Sequence, residues 1–142
     1  MKKNLMTLAA VLCCCVTTLV FTACAESVEE MQAKLVGTWT EQNNLYSDVL
    51  TLNDNGSFTF VSTVSDPNYQ SHANLYNGSG NYKYEVLVAS NTNINNNNND
   101  AVMGVLYLNY GGKAAQNLRV RKLTSSTLEM TNYNGDIFRF SK

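Results

Sequence analysis

The sequence predicts an all-β domain, an antiparallel up-and-down meander barrel of about eight strands that follows one short helix. Short runs of alternating apolar and polar residues recur along the chain, and Asn-rich and Gly-rich turns separate them. Proline, in contrast, occurs once in 142 residues. A long meander leaves two sheet edges exposed unless it closes on itself, and closure is the common solution.

Residues 1–23 have the organisation of a secretory signal peptide. Lys2 and Lys3 give a basic start, and residues 5–22 carry no charge and are rich in Leu, Val, Ala and Cys. No basic stop-transfer flank follows this apolar run, which argues against a retained membrane helix. We therefore expect residues 1–23 to be removed from the mature protein.

The junction Phe21-Thr22-Ala23-Cys24 resembles the lipobox of bacterial lipoproteins, with a bulky apolar residue, two small residues and then the cysteine. The resemblance implies cleavage before Cys24, a diacylglycerol on its thiol and acylation of the new amino terminus, with palmitate as a typical chain. Several acyl chains together give stable membrane anchoring. The alternative is an ordinary signal peptide that leaves Cys24 as a free thiol.

The lipoprotein resemblance implies a location in the cell envelope. Glu26, Glu29 and Glu30 follow Cys24 closely and resemble the surface-export signals of some Gram-negative lipoproteins. We expect the protein at the outer membrane, on either its periplasmic or its exterior face.

All the cysteines lie at or before position 24, which bears on both metal binding and stability. Cys13, Cys14 and Cys15 are adjacent, whereas structural zinc sites use cysteine pairs two to four residues apart with further ligands downstream. No cysteine follows Cys24, so the mature domain has none for a disulfide. Its stability must come from its core.

Removal of 23 of the 142 residues leaves 119, enough for one domain with a substantial core. Because Lys2 and Lys3 are lost, eight basic residues remain against eleven acidic ones, a net charge of −3. A mildly acidic domain lacks the basic surface that nucleic acids require. We predict no nucleic-acid partner, and a monomeric domain held at the membrane through Cys24.

A tether and a short helix precede the barrel, at residues 24–33. Ser27 and Glu30 have the spacing of a helix-capping box, and Met31 and Leu35 continue an apolar stripe. The helix is expected to close one end of the β structure.

The barrel is predicted over residues 34–142. Its strands are expected at residues 35–40, 46–52, 57–64, 80–89, 102–109, 116–123, 127–132 and 136–141. Residues 53–56 and Asn134-Gly135 are strong hairpin turns, because Asn and Gly tolerate positive φ. Residues 65–80 are predicted as a polar loop with a short strand near 73–76. The Asn-rich segment 90–100 is predicted as a loop, either a specificity loop over the barrel mouth or a tolerated insertion.

The segment 34–40 contains Gly37-Thr38-Trp39 and resembles the Gly-x-Trp opening of lipocalin and calycin barrels, at its expected place after a short helix. Residues 50–58 and 121–130 are similar to parts of the small lipocalin-like domains of Gram-negative lipoproteins. The resemblance covers most of residues 34–142.

This resemblance implies a structural role for Trp39, which would close the base of the barrel. An arginine near the end of the chain would pack across its ring, and Arg139 is the candidate, with Arg119 and Arg121 as alternatives. Such a cation–π contact contributes about 0.5–2 kcal/mol.

The sequence offers little catalytic chemistry. His72, the single histidine, is predicted to be a solvated loop residue, and neither a Ser-His-Asp order nor a Gly-x-Ser-x-Gly elbow occurs. Glu41, Asp48, Glu85 and Glu129 could in principle pair as glycosidase carboxylates, but their spacing does not distinguish that from solvated strand faces. We predict a protein that is not an enzyme and that holds no metal and no cofactor.

Three functions remain open, and the third is a stalk or spacer without a specific ligand. The first is binding of a small apolar or amphipathic molecule in the barrel mouth. Its candidate lining residues are aromatic and could equally be core or surface: Tyr46, Phe58, Phe60, Tyr82, Tyr84 and Tyr107. The second is a ligand-free, filled barrel that acts as a protein-interaction or protease-inhibitor module through its loops at residues 65–80 and 90–100.

Overall fold

A computed structural model describes residues 27–87 and 102–142 of the chain. Within these residues eight antiparallel strands, each paired with its neighbours in chain order, form one closed barrel, which confirms the predicted fold class. The strands are β1 (Gly37–Gln42), β2 (Tyr46–Leu52), β3 (Ser57–Val64), β4 (Gly78–Val86), β5 (Gly104–Tyr110), β6 (Gln116–Leu123), β7 (Thr127–Thr131) and β8 (Ile137–Ser141). The predicted signal peptide, Cys24 and the Asn-rich segment 90–100 lie outside the described residues.

The barrel closes between its first and last strands. Thr40 pairs with Ser141 in an antiparallel arrangement, and the Thr40 hydroxyl donates to the Ser141 carbonyl at 3.2 Å. Next to this pair, the Arg139 backbone N–H donates to the Glu41 carboxylate at 3.1 Å. The Glu41 side chain therefore supplies one of the hydrogen-bond acceptors between β1 and β8.

The interior is filled by side chains that alternate along the strands, as a period of two requires, although a register shift after Val120 interrupts the alternation in β6. In β3, for example, Phe58 and Phe60 are buried while Thr59 and Val61 are exposed. The buried apolar side chains form one cluster, which includes Leu50, Leu52, Leu106, Leu108, Leu118, Val120, Leu128, Met130, Phe138 and Phe140. An eight-stranded barrel is just wide enough to be filled in this way.

The helix α1 (Val28–Leu35) covers one end of the barrel, which we call the base. The predicted capping box is confirmed: the Ser27 hydroxyl accepts from the Glu30 N–H at 3.1 Å, and the Glu30 carboxylate accepts from the Ser27 N–H at 2.9 Å. Leu35 is fully buried, and the Trp39 indole N–H donates to its carbonyl at 2.7 Å. This bond fixes the tryptophan beneath the helix.

The prediction that Arg139 packs across Trp39 is wrong. Lys142 occupies that place, with its ammonium group 4.3 Å from the ring centroid. Arg139 points outward and pairs with Glu129 on the adjacent strand, at 3.4 Å. The two residues lie opposite each other in the β7–β8 register, which places their side chains on the same outer face.

Residues 65–80 differ from the predicted loop and short strand. They form a 3₁₀ turn (Pro67–Tyr69) and the helix α2 (Gln70–Tyr76). Asp66 accepts from the Asn68 N–H at 2.9 Å, and Pro67 provides the fixed φ that suits a first helical position. The prediction of a short strand near residues 73–76 is therefore wrong. The tertiary contacts of Ala73 and Tyr76 stabilise a helix there.

The helix α2 covers the other end of the barrel, which we call the mouth. It follows β3, whereas α1 precedes β1, and these two strands run in the same direction. Tyr76 is held from below: the Tyr110 hydroxyl donates to its carbonyl at 2.8 Å, and the Asn132 amide donates to its hydroxyl at 3.0 Å. The Lys113 ammonium donates to the carbonyls of Asn74 and Asn77, where the negative end of the helix dipole favours a cation.

Both ends of the filled barrel are thus covered by helices. Neither helix, nor any other in residues 27–87 and 102–142, is long and apolar enough to cross a bilayer.

Candidate functional site

The structure does not bring the six predicted ligand-lining residues together. Phe58, Phe60 and Tyr84 belong to the packed interior. Tyr82 lies near the base, where its hydroxyl donates to the Asn53 carbonyl at 2.8 Å. Tyr107 lies on the outside of β5, and its hydroxyl donates to Glu85 at 3.1 Å.

Tyr46, the sixth, lies at the mouth and lines a surface groove of about 440 Å³ between the Pro67–Tyr76 segment and the start of β8. We call this the mouth groove. Its lining residues are Tyr46, Tyr69, Ser71, His72, Leu75, Tyr76, Asn134, Asp136, Ile137 and Phe138. The groove combines aromatic surface with a few polar groups, as small-molecule sites do.

His72 is the centre of the mouth groove. Its Nε2 atom lies 2.7 Å from the Asp48 carboxylate, which is fully buried, whereas 16 % of the His72 side chain is exposed. The imidazole stacks on the Tyr46 ring, with centroids 4.3 Å apart and an angle of 24° between the planes. Tyr76 and Phe138 flank it at 4.9 and 6.0 Å.

The prediction of a solvated loop histidine is therefore wrong. The helix α2 places His72 on its inner side, where the imidazole contacts the carboxylate of Asp48 in β2. A sequence signal for this pair existed: Asp48 falls on the same alternation as Leu50 and Leu52, which places an acid on the core face. Because a buried carboxylate needs a partner, the single histidine was a reasonable candidate for it.

Two carboxyl groups lie close beneath the groove. One oxygen of Asp48 contacts His72, and the other has no hydrogen-bond partner among the described residues. Glu41 is half-buried, and desolvation raises its pKa above the ordinary value of 4.5. The N–H of Arg139 partly offsets this pKa increase, whereas the charge of Asp48 adds to it.

The same surroundings affect the pKa of two phenols of the groove, Tyr46 and Tyr76. Burial raises the pKa of Tyr46, and the negative charges of Glu41, Asp48 and Asp136 raise it further. Burial also raises the pKa of Tyr76, although the hydrogen bond from Asn132 works against the increase. Both phenols therefore remain neutral donors or acceptors at physiological pH.

Among residues 27–87 and 102–142, three further grooves lie elsewhere on the surface. One of about 370 Å³ lies between α1 and β4 and includes Tyr82 and Tyr84. The other two, of about 410 and 260 Å³, share Arg119 and Tyr133 on the outer face. Tyr133, in the β7–β8 turn, is 93 % exposed. The stacked rings of His72 and Tyr46 are found at the mouth groove and do not line these grooves.

No cluster of three or more His, Cys, Asp or Glu side chains in the described part of the chain could hold a metal ion. Comparison with known proteins returns no match: no family model, no curated protein and no solved structure matches this chain.

Proposed function

We propose that this protein is a lipid-anchored envelope lipoprotein whose monomeric barrel binds a small amphipathic molecule in the mouth groove. The stacked arrangement of His72 on Tyr46, beside Phe138, supports the proposal most directly. Rings that are already packed against each other present a rigid apolar wall, and a ligand need not order them on binding.

The proposed ligand binds outside the barrel interior. The interior is occupied by packed apolar side chains, and Tyr76 of α2 lies across the mouth, stacked on Phe60 with centroids 5.3 Å apart. The mouth groove lies on the outer side of this layer. Tyr69 and Leu75 are partly exposed at its rim, which leaves apolar surface for a ligand to cover.

Polar groups at the mouth groove would orient the ligand. Asp136, Asn134 and Ser71 line it together with the rings. A ligand with one apolar part and one hydrogen-bonding part fits this surface better than a plain hydrocarbon, since the polar groups would otherwise lose water without compensation.

Membrane attachment through Cys24 rests on the lipobox-like junction at residues 21–24. Mass spectrometry of the native amino terminus tests it. A chain that starts at Cys24 with the mass of a diacylglycerol and an acyl chain supports the anchor. An unmodified Cys24, or a start elsewhere, refutes it.

Ligand binding is tested on the mature chain with Cys24→Ser, which removes the lipidation site. We expect the neutral fluorescent probe N-phenyl-1-naphthylamine to bind saturably. Tyr69→Ala should weaken binding about two- to tenfold, because one aromatic contact is lost. Tyr133→Ala, which removes an exposed tyrosine on another face, is the matched control and should leave binding unchanged. A folded protein that takes up no probe, or equal loss in both variants, would refute the mouth groove as the site.

The filled interior favours a second candidate, a protein-interaction module. The exposed Tyr133 side chain, with grooves on both sides of Arg119, is the surface that suits a protein contact best. A photoreactive residue at position 133 in intact cells should then form one discrete protein adduct. The same residue at Asn55, in the exposed β2–β3 turn, should not form it. Identical adduct patterns at both positions would exclude this surface.

A further inference from the structure

The charges at the mouth groove bear on the class of ligand, on the premise that the groove is a binding site as proposed above. Among its described lining residues Asp136 is the one acidic residue, and none is a lysine or an arginine. Five of them are aromatic: the rings of Tyr46, Tyr69 and His72 are at least partly exposed, whereas those of Tyr76 and Phe138 are buried. The groove therefore combines aromatic faces with negative charge.

More negative charge lies behind the rings. Asp48 is fully buried under His72, and Glu41 is half-buried on the neighbouring strand β1. Asp48 contacts the His72 ring and lies opposite Glu41 in the β1–β2 register, and both charges, with that of Asp136, raise the pKa of Tyr46. In a partly desolvated site such fields are screened less than at an open surface.

Positive groups on adjacent elements are engaged elsewhere. Lys113 donates to the carbonyls at the end of α2, and Arg139 pairs with Glu129 on the outer face. His72 is the titratable base in the groove, and it faces Asp48. The charges of His72 and Arg139 both lower the pKa of Glu41 in part, so the carboxylate left exposed at the groove is that of Asp136.

We propose that the mouth groove binds a small organic cation, a primary amine or a quaternary ammonium group, against its aromatic rings and beside Asp136. Aromatic faces carry negative electrostatic potential and attract such cations, and the attraction grows as the site is desolvated. A carboxylate at the rim adds charge complementarity. An anionic ligand would meet the opposite field, and a neutral one would gain nothing from it.

Two water-soluble probes of nearly the same shape test this inference: choline and 3,3-dimethylbutan-1-ol, which has carbon in place of the charged nitrogen. Both are titrated into the isotope-labelled mature chain with Cys24→Ser, and amide chemical shifts are followed by NMR. We expect saturable shifts at residues 69–76 and 136–138, with choline at least fivefold tighter than the alcohol.

Variants at two acidic residues sharpen the test. Asp136→Asn should reduce the preference for choline about threefold and leave the alcohol unchanged, because it removes charge and keeps the shape. Asp54→Asn, in the exposed β2–β3 turn, is the matched control and should change neither affinity.

The outcomes separate the inference from the proposed function. If the alcohol binds at the same residues as tightly as choline, the cation preference is wrong and the binding groove stands. If neither probe shifts these residues while N-phenyl-1-naphthylamine binds there, the cation preference is again wrong and the proposed function stands. If none of the three probes binds at the groove, both fail.

Discussion

The Lys142 ammonium group lies 4.3 Å from the centroid of the Trp39 ring and donates to the carbonyls of Lys34 and Val36, at 2.8 and 2.7 Å. These carbonyls belong to the end of α1 and the residue that follows it, where helix hydrogen bonding stops. One lysine therefore connects the last strand, the first helix and the tryptophan at the base of the barrel.

Lys142→Met should destabilise the protein by about 1–2 kcal/mol, because it removes a cation–π contact and two charged donors but keeps the apolar stem. Arg139→Met should cost less than about 1 kcal/mol, since its pair with Glu129 is solvent-exposed. Urea denaturation of both variants measures the difference. A larger loss in Arg139→Met would contradict the observed packing at the base.

Gly37, the first residue of the Gly-x-Trp pattern, should not tolerate a side chain. Its φ is +132°, and a Cβ atom there would lie 2.9 Å from the Lys142 Cε atom. Gly37→Ala should therefore cost about 1–3 kcal/mol in the free energy of unfolding. Gly111→Ala is the control, because a Cβ atom there meets no other group within 4 Å, and it should change stability by less than about 0.5 kcal/mol.

His72→Phe should destabilise the protein by about 3 kcal/mol, because it leaves the buried Asp48 carboxylate without its partner. Adding Asp48→Leu should recover much of this loss, since two apolar side chains need no pairing. A thermodynamic double-mutant cycle, measured by urea denaturation, gives the coupling between the two sites. A coupling near zero would mean that the pair contributes little to the stability of the mouth.

Glu41→Gln should stabilise the protein at pH 7. Desolvation raises the Glu41 pKa above its value of 4.5 in the unfolded chain, so the folded state holds this proton more tightly than the unfolded state does. The resulting stabilisation is present below pH 4.5 and is lost as the pH rises through the folded-state pKa. Glutamine removes the charge and keeps an acceptor for the Arg139 N–H.

Unfolding curves of Glu41→Gln and of the unmodified protein between pH 4 and pH 7 test this direction of the change in stability. We expect the advantage of the variant to shrink as the pH falls. Glu29→Gln, at an exposed position in the first turn of α1, should bring no gain at pH 7. Equal stability of Glu41→Gln and the unmodified protein at pH 7 would show that ionised Glu41 carries no desolvation cost.

Much of the fold follows from local sequence. β2, β3 and β6 have the predicted bounds. In β2 and β3 the alternation is regular, and turn residues flank all three strands. The capping box at Ser27 and Glu30 also forms as predicted, since both of its hydrogen bonds lie within one turn of the helix. Closure of the meander was expected from its length, because an open meander would leave unpaired backbone N–H and C=O groups at two sheet edges.

Local sequence did not predict the structure of residues 65–80 or the residue that packs on Trp39. α2 is short and has no local side-chain cap, and Tyr76 holds it through contacts with Tyr110 and Asn132, distant in sequence. The choice of Lys142 over Arg139 depends on the outer face that Arg139 occupies in β8, on the position of Lys142 directly after that strand, and on the position of α1. A periodic pattern fixes the face of a residue only relative to its own strand.

The sequence by itself determined the strands, the turns, the closed meander and the first helix, because each depends on alternation, chirality and hydrogen bonds between near neighbours. Tertiary structure alone decided that the barrel is filled, that α2 covers its mouth, and that His72 meets Asp48 across 24 residues. Packing decides such features, because burial stabilises those side chains, distant in sequence, that fit together in space. The local sequence does not indicate which side chains these are.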